Sequence, residues 1–476
     1  MNAHAQNNAP DAPDFPDKPD PYSSLRHGPF RRFFVGNFLF NLGRQGLVVA
    51  LAWQVYIWTN SYAALGFIGA INVLPLIAFF LPAGVLADRV DRRKIIGVTM
   101  SISFALSAML ALSTHFHDSI PYFGFLRGAN NAIHAAANFF TAESLRPGIR
   151  FDNPALPIVF LLQLCQAVAL VAGNPARGAI IPQLVPGEKV SNAFMWNSSG
   201  FELATVIGPV LGGIASSWSA TPVYALDAVF SLALALSLLG VRLTEPARKP
   251  AAAGGGASDA ASENAPVAAP PGVFAGISFI WRHKPILACI TLDLFAVLLG
   301  GLTALFPVYA KEVLLLGPAG YGYLRAAPSL GAITMAFIVA HSRPFKRPGV
   351  SLLWTVAGFG AAIVLFALSR NIVLSLVALF LSGMCDNVSV VVRHTCVQML
   401  TPGLLRGRVT AVNQLFIGSS NQISEFRGGM MAAQFGPVFA ATFGGICTMF
   451  VVVAVALALP SIRTVPPLNE LKPLEE

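Results

Sequence analysis

The stretch AALGFIGAINVLPLIAFFLPAGVLADRVDRRK, Ala63–Lys94, decides how the whole chain is read. From Ala63 to Ala87 it contains no charged residue. That is long enough for a helix to cross a bilayer, which takes about 20 mostly apolar residues. It then closes on Asp88, Arg89, Asp91, Arg92, Arg93 and Lys94. An apolar helix ending in a basic cluster is how a membrane protein marks its cytoplasmic side.

The same pattern recurs in both directions from this stretch. Of 476 residues, 55% are apolar and only 11% are charged, with a mean hydropathy of +0.65. Too few charges remain to solvate a soluble globule. Disorder, collagen and a disulfide scaffold are excluded by the same composition. The five cysteines lie in or beside apolar runs without metal or redox spacing, and read as packing residues. The net charge of +9 falls in short clusters between apolar runs, so it does not form a nucleic-acid footprint.

Windows of helix-spanning length place six spans at about 34–57, 63–86, 95–113, 157–173, 193–218 and 222–241. Six more follow at about 286–310, 320–340, 350–368, 373–392, 409–431 and 437–460. The expected fold class is therefore an all-α integral membrane protein with twelve transmembrane helices. Residues 244–272 are rich in Ala, Gly, Pro and Ser and read as a flexible cytoplasmic linker between two six-helix bundles, 30–243 and 273–460. Residues 1–29 and 461–476 are expected to be cytoplasmic tails, the first disordered. Residues 273–284 read as an amphipathic helix lying on the membrane. The stretch 115–156 is apolar but carries Arg127, Asn130, Asn131, His134 and Asn138, and is read as an external re-entrant or surface-lying insertion. With both termini inside, most Lys and Arg fall on the cytoplasmic side, as the positive-inside rule requires.

The two halves also repeat. Arg177, Leu184, Pro186, Gly187 and the pair Gly212-Gly213 match Arg393, Leu400, Pro402, Gly403 and Gly428-Gly429, each 216 residues later (393 − 177). A repeat in the same orientation suggests two bundles facing one another around a central pathway.

Within GVLADRVDRRK, Gly84 permits close helix packing, Asp88 can accept hydrogen bonds from a neighbouring helix N-terminus, and Arg89, Arg92 and Arg93 can pair with it or with lipid headgroups. A plain positive-inside anchor would look similar. The whole string resembles the G-x-L-A-D-R-x-G-R-R-K loop of the major facilitator superfamily, with Asp91 in place of its glycine. The resemblance implies a pseudo-symmetric major facilitator fold and a conformational latch centred on Asp88. The segment ATVIGPVLGG, with Gly208, Pro209, Gly212 and Gly213, is similar to the antiporter motif of the exporters in that superfamily, although Met195 and Ala204 stand where the longer pattern has glycines. Read alone, it could equally be helix packing around a proline kink. GNPARGAIIPQLVP, LDLFAVLLGG, LRAAPSLGA and AVNQLFIGSSNQISEF resemble the branch that contains the enterobactin exporter and Tap-type multidrug pumps. This resemblance implies efflux without fixing the cargo.

Ionisable residues inside spans cost about 2.5–3.5 kcal/mol each at mid-helix and usually face a pathway or a partner. Proton-coupling or ion-pair candidates are Arg44, Glu202, Asp293, Asp386, Glu425 and Arg427. Asp227 and Arg325, nearer span ends, read as structural pairs. Trp53, Gln54, Gln163, Gln166, Asn197, Gln414 and Asn421 are candidates to line a permissive cavity. No phosphate loop, H-E-x-x-H or nucleophile elbow is present, so no enzyme, cofactor or metal site is expected. The expected partners are protons, the lipid bilayer and a small, partly hydrophobic molecule, exported by a chain that is most simply a monomer. An importer or facilitator of the same fold, or a non-transporting membrane scaffold or receptor, would share most of these features.

Overall fold

A computed structural model describes residues 20–142, 144, 148–241, 273–342, 345–464 and 466–467. The expected linker 244–272 and the outer parts of both tails lie outside these residues. Among the described residues all regular structure is helical.

The first half is built from α1 (Gly28–Thr59), α2 (Tyr62–Arg89), α3 (Arg92–His115), α4 (Gly124–Phe140), α5 (Ala155–Ile180), α6 (Val190–Ser216) and α7 (Thr221–Ser237). The second half opens with α8 (Val273–Arg282) and α9 (Lys284–Gly300). The chain then passes through a 3-10 turn, the short α10 (Phe306–Val308) and a π turn (Tyr309–Val313). The rest comprises α11 (Gly317–Ala340), α12 (Pro348–Leu368), α13 (Ile372–Leu400), α14 (Gly403–Phe435) and α15 (Pro437–Ala458). Ten helical stretches among the described residues are long and apolar enough to cross a membrane. The α7 helix is apolar but shorter, and α14 is more polar, with Asn413, Ser420 and Ser424 buried along it. With these two, six crossings fall in each half. Exposed Phe79, Leu81, Phe337, Trp354 and Phe450 supply the apolar surface that lipid requires.

Local signals explain where the helices stop. Asn60 ends α1 in the left-handed conformation (φ 50°), and the Ser61 hydroxyl accepts from the Ala64 N–H at 3.3 Å to start α2. Asp91 starts α3 by accepting from the Arg93 N–H at 2.9 Å. Asn371 starts α13 in the same way. These turns reverse the chain within a few residues. One end of the molecule therefore collects Arg89–Lys94, Lys284 and Arg406 (the basic end), while Thr59, Tyr62, Ser216 and Phe435 gather at the far end.

One expectation changes in detail. Residues 20–27 form ordered turns rather than part of a disordered tail, because Ser24 donates to Asn192 Oδ1 at 2.5 Å and Tyr22 packs on Trp196. The stretch 115–156 holds the amphipathic helix α4 between the far ends of α3 and α5, held by Asn130 Nδ2 donating to the Tyr122 hydroxyl and to the Asn153 carbonyl, both at 2.8 Å.

Glycines let the helices approach closely. A Cβ on Gly212 would sit 2.5 Å from Gly46 Cα, which places the α1 and α6 backbones in contact. A Cβ on Gly208 would sit 2.8 Å from the Leu42 carbonyl oxygen of α1. Gly212→Val is therefore expected to destabilise the first bundle by about 1–3 kcal/mol through overpacking, read as a lower midpoint of thermal unfolding in detergent.

Candidate functional site

The two halves meet unequally at the two ends. At the far end one hydrophobic core joins Leu47, Leu65 and Tyr224 of the first half with Val308, Met430 and Ala433 of the second. A Cβ on Gly429 of α14 would sit 2.5 Å from Gly66 Cα of α2, and one on Gly213 of α6 would sit 2.9 Å from Gly322 Cα of α11. Polar bonds add to this contact. Glu312 accepts from the hydroxyls of Tyr56 and of Tyr62, the latter at 2.8 Å, and Lys311 donates to Asn60 Oδ1 at 3.2 Å. The segment after α4 also reaches across: the Ala142 N–H donates to the Ala433 carbonyl at 3.1 Å, and Gln434 donates to the Phe140 carbonyl at 2.6 Å.

At the basic end the cores stay separate, one made only of first-half residues and one only of second-half residues. Among the described residues no hydrogen bond or ion pair joins the halves there. The molecule is closed at the far end and parted at the basic end.

Glu312→Gln should therefore loosen the far-end seal, since an ionised acceptor makes hydrogen bonds worth about 1.5–3 kcal/mol against about 1 for a neutral one. The expected readout is roughly tenfold faster labelling, from the far side, of a cysteine placed at Trp53.

Between the halves lies a small cavity of about 90 Å³. Asn72 and Gln163 line it from the first half, hydrogen-bonded to each other at 2.8 Å, and Tyr321, Arg325, Gln422 and Glu425 line it from the second. Trp53 stacks on Tyr321 at its edge, with ring centroids 6.5 Å apart. A larger cleft of about 310 Å³ opens in the basic half of the first bundle, lined by Asn37, Asn41, Asn174, Arg177, Asn197 and Glu202. Asn37 donates to Asn197 Oδ1 at 2.9 Å across it.

The buried charges fall into three groups. In the second bundle Arg393 of α13 pairs with Asp293 of α9 at 2.9 Å, both side chains nearly fully buried. Asp386, two turns earlier on α13, has no hydrogen bond or ion pair among the described residues and is close enough to interact electrostatically with Asp293, Arg393 and Glu202. In the first bundle fully buried Asp227 accepts from the Ser107 hydroxyl at 2.6 Å and faces Arg44 electrostatically. At the central cavity Arg325 faces Glu425.

Several sequence expectations need correction. Gln54 donates to Thr114 Oγ1 at 2.9 Å and accepts from the Tyr224 hydroxyl at 2.5 Å, and Gln166 donates to Ser103 Oγ at 2.7 Å. Both amides knit the first bundle internally, because a buried amide is stable only when its bonds are made. Arg427 donates to the carbonyls of Leu298 and Leu299 and so caps the C-terminal end of α9 rather than facing a pathway. Arg325, expected as a structural pair near a span end, faces Glu425 as a pair would, and both also line the central cavity. Gln414 and Asn421 are exposed on the face of α14 that carries Glu425 and line neither cavity. Gln163, Asn197 and Glu202 do line a cavity or cleft.

Among the described residues the basic loop makes no hydrogen bond or ion pair with the second half. A Cβ on Gly84 would meet nothing within 4 Å, so the close packing expected there is absent in this state. Asp88 and Arg89 are exposed, and among the described residues Asp88 makes no hydrogen bond or ion pair. Arg92 donates to the Ala179 carbonyl at 2.9 Å and Arg93 to the Val241 carbonyl at 2.6 Å, both within the first half. Asp91 departs from the glycine of the sequence pattern, and its role is local. The Arg93 guanidinium hydrogen-bonds to its carboxylate and holds it below the usual carboxylate range. Because the folded pKa is depressed, any stability from this contact is present above the ordinary carboxylate pKa and lost as the pH falls through the lowered one.

Sequence reasoning passed over Lys311, Glu312 and Tyr62, which sit at the ends of apolar runs where a charge or hydroxyl looks like ordinary span flanking. Arg177 was visible only as a member of the repeat.

Comparison with known proteins agrees with this architecture. The family model described as Major Facilitator Superfamily matches residues 33–424. The chain is 24% identical over 442 residues to the enterobactin exporter EntS of Escherichia coli O127:H6 (strain E2348/69 / EPEC), covering 92% of this chain and 93% of that protein. Among solved structures, a bacterial homolog of the human lysosomal transporter Spinster, in an inward-facing and occupied conformation, superposes with a TM-score of 0.62 at 14% identity, covering 94% of this chain and 97% of the other. A D-xylose-proton symporter superposes with a TM-score of 0.63 at 12% identity, covering 94% and 100%. The twelve-crossing architecture in two halves and the family match over most of its length establish that the chain belongs to the Major Facilitator Superfamily of transporters.

Proposed function

We propose that this transporter is a proton-coupled exporter of small, partly hydrophobic molecules, placed in a bacterial inner membrane with both termini and the basic end in the cytoplasm. On this reading the conformation described above is inward-open. A cytoplasmic molecule enters between the parted halves and reaches the central cavity. The far-end seal of Glu312, Tyr56 and Tyr62 then opens as the basic end closes, with Asp88 and its arginines re-engaging the second half.

The observation that carries the reading is Asp386, an unpaired carboxylate deep in the chain beside the Asp293–Arg393 pair. A carboxylate in low dielectric exchanges its proton according to which side it faces and which charges surround it. Protonation of Asp386 from outside and release inside would drive one export cycle. A membrane potential supplies about 2.3 kcal/mol per charge per 100 mV, and a proton gradient adds about 1.4 kcal/mol per pH unit. These energies support a useful concentration ratio with one proton.

Everted vesicles with an imposed proton gradient, offered dyes, antibiotics and siderophores, test the proposal. The intact chain should accumulate at least one compound, and Asp386→Asn should abolish gradient-driven accumulation while leaving downhill exchange. Accumulation by the intact chain without a proton gradient, or full accumulation by Asp386→Asn, would contradict it.

A further inference from the structure

The repeat places Arg177 in α5, the fourth crossing of the first half, where Arg393 stands in α13, the fourth crossing of the second. The two arginines have different surroundings. Arg393 has a carboxylate, Asp293, supplied at 2.9 Å by the first crossing of its half. Facing Arg177, the first crossing of the other half supplies no acid. It presents the Phe40 ring, whose centroid lies 4.6 Å from the guanidinium, and the amides Asn37 and Asn41 on the cleft wall. Arg177 makes one side-chain hydrogen bond, to Asn174 on its own helix, and its Nε is buried without an acceptor. Among the described residues it forms no ion pair. Arg44, within electrostatic reach of Arg177, adds a second positive charge and also has a buried unpartnered nitrogen, Nη1. Glu202 lines the same cleft from α6 and makes no ion pair with either arginine.

Among the described residues this guanidinium lacks the counter-charge that its repeat mate has. The cleft in front of it, about 310 Å³, has room for a small molecule. Its walls offer hydrogen-bond donors from four asparagines, and Phe40 offers a flat apolar surface. A planar fork of N–H donors with amides around it is suited to a carboxylate or another oxyanion carried on an apolar or aromatic body.

We propose that this cleft is an anion-binding subsite for the exported molecule, in which the ligand's acidic group takes the place before Arg177 that Asp293 takes before Arg393. The cargo class is then organic anions. This inference rests on the exporter reading for its link to transport, but the binding itself does not. Glu202 in the same cleft disfavours ligands with several negative charges and favours those with one anionic group and neutral donors elsewhere.

The test uses the purified full chain in nanodiscs and matched probes: salicylate, benzoate and phenyl phosphate against the neutral salicylamide and benzamide. Tryptophan fluorescence and thermal unfolding report binding. At least one anion should bind and outcompete its neutral counterpart. Arg177→Gln should weaken that anion about ten- to a hundredfold while leaving the unfolding midpoint of the empty protein near that of the unaltered chain, and Arg177→Lys should restore part of the affinity. No binding by any of the three anions at millimolar concentration, equal binding of anion and amide, or undiminished anion binding by Arg177→Gln would each overturn the subsite. Anion binding that survives intact while proton-driven accumulation is absent would instead sink the exporter reading and leave the subsite standing.

Discussion

Asp293→Asn is expected to destabilise the second bundle by about 3–5 kcal/mol, because it leaves the Arg393 charge buried without its partner. Arg393 is 3% exposed and Asp293 is 6% exposed, so water does not replace the lost contact. Removing the pair together should cost far less. Asp293→Leu combined with Arg393→Met is expected to recover most of the unfolding midpoint, since a buried ion pair is often no more stabilising than a packed apolar pair of similar volume. The double variant should nevertheless fail to transport, because Asp386 loses the charges that set its proton exchange. Thermal unfolding and vesicle transport, measured on these two variants, separate the two roles. Full transport by the double variant would make the pair purely structural.

Gly429→Val should have the second large effect, on the balance between states. In the described conformation a Cβ at this position meets Gly66 Cα at 2.5 Å, Gly66 N at 2.6 Å and the Tyr62 carbonyl at 2.8 Å. All three are backbone atoms and cannot rotate away. Overpacking of this kind costs about 1–3 kcal/mol, and every 1.4 kcal/mol changes a population ratio about tenfold. Because α2 and α14 belong to different halves, the far end can relieve the clash by opening, which parts the core that the halves share there. The variant is expected to fold, to expose the central cavity from the far side, and to lose cycling. Cysteine labelling at Trp53 from that side should rise, whereas unchanged labelling with normal transport would show that this contact does not seal the far end.

The crossings and their two-half grouping were legible because a bilayer asks so much of a sequence: apolar runs of fixed length, basic clusters on one side and a polar, Pro-rich break at mid-chain. The motif GVLADRVDRRK was legible for the same reason, since Arg89, Arg92 and Arg93 stand outside any apolar pattern. Pathway residues were harder to read. Gln54, Gln163 and Gln166 are the same residue type in similar apolar settings, yet only Gln163 reaches a cavity, because the others find hydroxyl partners on α3 and α7 that no local pattern reveals. Arg427 looks like Arg393 in sequence, but the carbonyls at the end of α9 lie within its reach. The far-end seal was invisible for a related reason. Glu312 and Tyr56 are 256 residues apart and are joined only by the way the two halves face each other.

On the proposed reading, the two bundles rock about their shared cavity so that one end opens as the other closes. Spin labels at exposed Val90 and Arg406 would report the basic end, and labels at exposed Trp218 and Leu315 would report the far end. Pulsed electron double resonance in proteoliposomes, at acidic and alkaline pH and in the Gly429→Val background, should show the 90–406 distance shortening whenever the 218–315 distance lengthens. Two distances that stay fixed under every condition, or that lengthen and shorten together, would contradict the account.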